Sequence, residues 1–143
     1  MYVTLTKKSI SVILGAVIIS LILLGQFFTI NAGGIDGSTN QKRVDYIKSL
    51  GYSVDDTAQN VKTVKIPQKF SDVYKRYNLL QQKAGFNLAE FKGETVDIYT
   101  YCFADNPEMQ VHLIVCKGNV IGGDVASAQI DGKMTELKGK MNE

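Results

Sequence analysis

Hydrophobic positions along the chain follow three patterns. The first is continuous: Ser9 to Ile30 (SISVILGAVIISLILLGQFFTI) contains no charged residue. As a helix these 22 residues would extend about 33 Å at ~1.5 Å per residue, enough for a hydrocarbon core of roughly 30 Å. The second is helical. Val44, Ile47 and Leu50 recur at helical spacing in QKRVDYIKSLG, with Ser38, Thr39 and Asn40 as N-cap candidates and Gly51 as a C-cap. Ser71 and Asp72 open a longer helix, DVYKRYNLLQQKAG, with Val73, Tyr74, Tyr77, Leu80 and Ala84 on one face and Gly85 at its end. Asn87 caps a single turn in FNLAEFKG, which Phe86, Leu88 and Phe91 pin to the core.

The third pattern is alternation. Val61 to Ile66 is rich in β-branched residues and stops at Pro67, as a strand does. ETVDIYTYCF and MQVHLIVC flank the turn segment ADNPE, and Lys117-Gly118-Asn119 leads tightly into NVIGGDVA. Three consecutive antiparallel strands, Thr95–Phe103, Met109–Cys116 and Val120–Ala126, follow from this spacing. A hairpin centred on Asn106 aligns Tyr99, Tyr101 and Phe103 with Met109, Val111, Leu113 and Val115 on one apolar face. The opposite face is mixed: Val96, Ile98, Thr100 and Cys102 stand beside Gln110, His112, Ile114 and Cys116.

The expected fold is α+β: an N-terminal transmembrane helix, then two helices packed on an antiparallel sheet of about four strands. The expected organisation is a cytoplasmic N-terminus (1–8), an anchor (9–30), a flexible Gly/Ser/Asn-rich spacer (31–40), an extracytoplasmic domain (41–130) and a polar C-terminal tail (131–143), loosely ordered beyond a short element. The apolar run exceeds the 7–15 residues, roughly, of a signal peptide, and Ile30 stands where a cleavage site ending at Ala32 would want a small residue. A retained anchor is therefore favoured over a cleaved signal. Lys7 and Lys8 precede the run and the next basic residue is Lys42, so the positive-inside rule assigns the N-terminus to the cytoplasm.

Charge narrows the partners. Of 16 basic residues two precede the run, leaving 14 against 14 acidic ones, all of which follow it. A neutral outer domain lacks the basic footprint that nucleic acid demands. The expected partners are the membrane, through Ser9–Ile30, and an envelope protein.

The cysteines test the strand register. Cys102 falls opposite Gln110 and Cys116 opposite Val96, about six residues apart along one face. At ~3.3 Å per residue that is roughly 20 Å, against the limit of about 7 Å between Cα atoms for a disulfide, so two free thiols are expected.

Candidate chemistry is sparse. His112 is the only histidine, and a pairing with Cys102 as nucleophile and base competes with an ordinary sheet histidine beside a buried thiol, which is favoured. One His, no CxxC and no HExxH give no metal set, and no cofactor motif is present. Glu90, Glu94 and Asp97 read as surface charge, Asp55-Asp56 as a turn, and Tyr74, Tyr77, Tyr99 and Tyr101 as core. The exception is VIGGDV, Val120 to Val125, a strand with its weakest residues at its centre. Glycine inside a strand marks a bulge, a bend or a close backbone approach. Gly122, Gly123 and Asp124 are thus the candidate site. Either a bulged strand carries a local clamp, with Asp124 accepting backbone N–H groups from a neighbouring loop, or the bulge opens a ligand or peptide groove.

The ordered blocks RVDYIKSLGYSV, VKIPQKFSDVYKRYNLLQQKAGFNLAEFKG, TVDIYTYCF, VHLIVCK and GNVIGGDVAS resemble a family of short bacterial membrane proteins known as domain of unknown function 4830, over about Lys42 to Asp131. The resemblance implies one N-terminal span and one small outer domain, and it brings no activity, cofactor or catalytic set. The expected function is a non-enzymatic interaction or sensing module at the cell envelope. Small-molecule or peptide binding at Gly122–Asp124 is the alternative, and an envelope enzyme using Cys102, His112 or Cys116 is less favoured.

Overall fold

A computed structural model describes residues 33–129 and 132–139. The expected anchor, Ser9–Ile30, lies outside the described residues. Among these, no helix is long and apolar enough to cross a membrane.

Residues from Gly34 onward form one compact α+β unit. Its elements are β1 (Ile35–Asp36), α1 (Asn40–Ser49), β2 (Asn60–Lys65), α2 (Asp72–Lys83), a 3-10 turn (Leu88–Phe91), β3 (Thr95–Cys102), β4 (Met109–Cys116), β5 (Asn119–Ser127) and β6 (Met134–Glu136). The sheet has six strands, all paired antiparallel, in the order β1-β5-β4-β3-β2, with β6 also on β5.

Both helices start where side-chain caps allow. The Thr39 hydroxyl accepts the Lys42 N–H at 3.3 Å, and the Ser71 hydroxyl accepts the Tyr74 N–H at 3.2 Å. After α1 the chain reverses at Gly51, whose φ of 86° suits a residue without Cβ.

The two strands beyond the expected four correct the sequence reading. Ile35–Asp36, assigned to a flexible spacer, pairs with Val120 and Asn119, and Ile35 packs against the core. Met134–Glu136, assigned to the tail, pairs with Ala126, Val125 and Asp124, and Leu137 beside it is buried. Strands of two and three residues are too short to show a period of two, and both lie in polar, glycine-containing sequence.

The sheet carries a core on each face. On one, Tyr101, Val111, Leu113, Val115, Val120 and Val125 pack with Val44 and Ile47 of α1. The other was expected to be mixed and partly solvated. Its apolar half, Val96, Ile114, Cys116 and Ile121, is instead covered by Leu88 and Phe91 of the 3-10 turn and by Tyr74 and Tyr77 of α2. The inward stripe of α2 is rotated from the one expected: Val73 is exposed, while Asn78 and Gln81 are buried.

Register follows the hairpin alignment, with Cys102 opposite Gln110 and Asp97 opposite Val115. Both cysteines are free and buried. At the far side β2 is the sheet's outer strand, and five of its six residues are exposed.

Candidate functional site

One irregularity organises the β4–β5 pair. Ile114 stands opposite Gly122, but Val115 stands opposite Val120, so Ile121 is an extra residue on β5. The bulge therefore precedes the glycine pair, which itself lies in regular register opposite Ile114 and Leu113. Its effect is one of parity. Val120 and Asp124 would share a face of an uninterrupted strand; with one residue inserted, Val120 packs on the α1 side and Asp124 turns to the α2 side.

Asp124 is 2% exposed, and both of its oxygens are engaged. Tyr77 donates its hydroxyl to Oδ2 at 2.7 Å, and His112 Nδ1 lies 2.8 Å from Oδ1. The expected clamp onto loop N–H groups is thus corrected: the bulge aims the carboxylate at a helix and a neighbouring strand, away from the strand end. His112 sits directly opposite Asp124 on β4, as the ladder register demands. Because a carboxylate oxygen accepts, Nδ1–H is the donor in this contact, and Nε2 has no hydrogen-bond partner among the described residues. Burial, followed by the charge of Asp124, pushes the Tyr77 phenol far above its ordinary range, so Tyr77 remains a donor.

The glycines serve packing. A Cβ on Gly122 would stand 2.9 Å from Gln81 Oε1 and 3.2 Å from both Ile114 and Leu88 side-chain carbons. One on Gly123 would stand 2.6 Å from the His112 carbonyl and 2.7 Å from Leu137. Gln81 uses the room to accept the Gly123 N–H at 2.8 Å, next to the bulge. Its Nε2 is a buried nitrogen without a partner among the described residues. Asn78 closes the adjoining corner, accepting the Leu88 N–H at 2.7 Å and donating to Asn87 Oδ1 at 3.0 Å. Gly122, Gly123 and Asp124 are therefore brought together, but in the interior, with Gln81 and Leu88 on one side and Leu137 on the other.

Tyr77, Asn78 and Gln81 were not singled out as site residues from the sequence. A signal existed: YNLLQ places three polar-headed side chains at helical spacing on a helix that must bury a face. His112 does not meet Cys102 in a nucleophile pair. The Cys102 thiol lies 2.9 Å from Gln59 Oε1, and His112 turns to Asp124. Burial raises the Cys116 thiol above its ordinary range, which disfavours a reactive thiolate there. Among the described residues no group of His, Cys, Asp and Glu side chains could hold a metal ion.

No curated protein and no solved structure matches the chain. A family model does, over residues 46–125, more than half of the chain, from within α1 to the end of the bulged segment, including Tyr77, Gln81, His112 and Asp124. The chain belongs to the family described as "Domain of unknown function (DUF4830)".

Proposed function

We propose that the chain is a membrane-anchored, non-enzymatic interaction module, with Ser9–Ile30 as the anchor and the α+β unit outside the cytoplasm, where it meets an envelope protein. The carrying observation is the free edge of β2. Among the described residues nothing pairs with its outer side, whereas β5 across the sheet is met by both β1 and β6. Ile66 donates its N–H to the Glu94 carbonyl at 2.9 Å, and by the alternation of an antiparallel ladder Val61, Thr63 and Lys65 turn their N–H and C=O groups outward. An added strand is the usual occupant of such an edge.

The interior of the molecule supports the same reading. The space a groove at Gly122–Asp124 would need is filled by Gln81, Leu88 and Leu137, and the Asp124 oxygens are committed to Tyr77 and His112. The alternative of ligand binding at the bulge is accordingly the weaker one.

Site-specific photo-crosslinking in intact cells tests the proposal. A photoreactive residue at Val61, half exposed on β2, should give a discrete adduct, and one at Leu79, somewhat more open on α2, should not. Equal labelling at both positions, or none at Val61, would count against an interface at this edge.

A further inference from the structure

We propose that the β2 edge receives an extended acidic peptide segment as an added strand. This rests on the reading of β2 as the interface and specifies the chemistry of its occupant.

Charge distribution carries the inference. The outer part of the chain is neutral, yet Thr57 to Phe70 holds Lys62, Lys65 and Lys69 and no acidic residue. Elsewhere Lys42, Lys48, Lys75, Lys117 and Lys138 each pair with a carboxylate, while Lys83, Lys92 and Lys133 make no ion pair among the described residues; the β2 stretch differs in gathering three lysines within eight positions. Lys62, Lys65 and Lys69 make no ion pair among the described residues. Successive side chains of a strand point to opposite faces, so Lys62 and Lys65 flank the outer backbone from both sides of the sheet.

A further cation lies behind them. Arg43 of α1 is buried, with its guanidinium 3.6 Å above the ring of Tyr99, the residue paired with Val61. Its Nε donates to the Tyr101 hydroxyl at 3.0 Å and a terminal nitrogen to the Gly37 carbonyl at 2.7 Å; no carboxylate pairs with it among the described residues. Asp97, the carboxylate opposite Thr63, accepts the Thr63 hydroxyl at 2.6 Å.

Lysines on an edge strand also discourage pairing with like edges. Here that selects the occupant. A second copy would bring its own lysines alongside these, whereas a strand with carboxylates on both of its faces would meet Lys62 and Lys65 and keep its backbone hydrogen bonds.

Fluorescence anisotropy tests this with the full-length protein in a neutral detergent. The probes are a short labelled peptide of valine and threonine with glutamates three residues apart, its lysine counterpart, and the acidic peptide N-methylated at every amide. The acidic peptide should bind in a salt-dependent manner, and the other two should not. Replacing Lys62, Lys65 and Lys69 together by Gln should weaken binding about tenfold, the scale expected for three solvent-exposed ion pairs. The N-methylated peptide removes strand pairing without altering the protein, so the result does not depend on a variant's folding. Equal binding of both charged peptides, lost on N-methylation, would overturn the acidic selectivity and leave the edge reading standing. Binding that survives N-methylation would overturn strand addition itself. Retention of anionic vesicles without binding of either peptide would overturn the proposal in favour of lipid headgroups.

Discussion

Tyr77 of α2 donates its hydroxyl to the buried carboxylate of Asp124 at 2.7 Å, joining the helix to the bulged strand across 47 positions of sequence. The contact depends on the parity change at Ile121, and the same carboxylate holds His112 on the neighbouring strand. Helix, bulge and sheet are thereby tied at one atom group. Hydrogen bonds to charged groups contribute about 1.5–3 kcal/mol, so Tyr77→Phe should lower the unfolding free energy by that amount at an unchanged denaturant slope. A cycle with Asp124→Asn should show a coupling of about 1–2 kcal/mol in urea unfolding. Strict additivity would mean that the two groups do not act together.

The glycine pair is expected to respond unequally to alanine. At Gly123 the added carbon meets the His112 carbonyl, which the sheet ladder holds in place. At Gly122 it meets the ends of the Gln81, Ile114 and Leu88 side chains, which can give way. Overpacking costs about 1–3 kcal/mol, and Gly123→Ala should lie at or above the upper end and Gly122→Ala near the lower. Thermal unfolding of both variants checks the order; the reverse would mean that the backbone at β4 yields more readily than the side chains of α2.

Alkaline stability follows from Tyr77. Its folded-state pKa is raised, by burial first and by Asp124 second, above the unfolded value of about 10. Above that value the unfolded chain releases the proton while the folded protein keeps it. The stabilising contribution is therefore complete below about pH 10 and declines as pH rises, by up to ~1.4 kcal/mol per unit for one such group. Tyr46, Tyr52 and Tyr74 are shifted the same way, so Tyr77→Phe should flatten the decline without abolishing it. Urea midpoints measured from pH 8 to 11, roughly, would reveal this; identical slopes for the two proteins would exclude a buried, proton-retaining Tyr77.

Leu137 should behave as a core residue despite its position near the C-terminus. It is 2% exposed and lies against the space above Gly123. Leu137→Ala should cost about 2–5 kcal/mol in chemical unfolding. A loss within ~0.5 kcal/mol, the scale of a surface change, would mean that β6 contributes nothing to the folded unit.

Much of this architecture is legible in the sequence because one physical signal suffices for each part. Period-two alternation around Asn106 gives the β3–β4 register down to Cys102 opposite Gln110, and Thr39 and Ser71 mark both helix starts. Other parts depend on contacts distant along the chain. Ile35 and Leu137 are single apolar residues in polar surroundings, and only the edge of β5 makes strands of their neighbourhoods. The inward stripe of α2 departs from apolar spacing at Val73 because that spacing does not register Asn78 and Gln81, which turn inside to accept the N–H groups of Leu88 and Gly123. VIGGDV revealed a bulge through its glycines, but the partners of Asp124 lie 47 and 12 residues away, beyond any local pattern.

The most direct test compares the photo-crosslinked adduct at Val61 in two otherwise identical full-length proteins. Thr63→Pro removes an outward N–H of β2, and Asp124→Asn alters the interior clamp; circular dichroism first establishes that each is folded. With β2 as the interface and Gly122–Asp124 as structure, the adduct disappears in Thr63→Pro and persists in Asp124→Asn. Persistence in Thr63→Pro with loss in a folded Asp124→Asn protein would contradict that assignment and move the interface to the bulge.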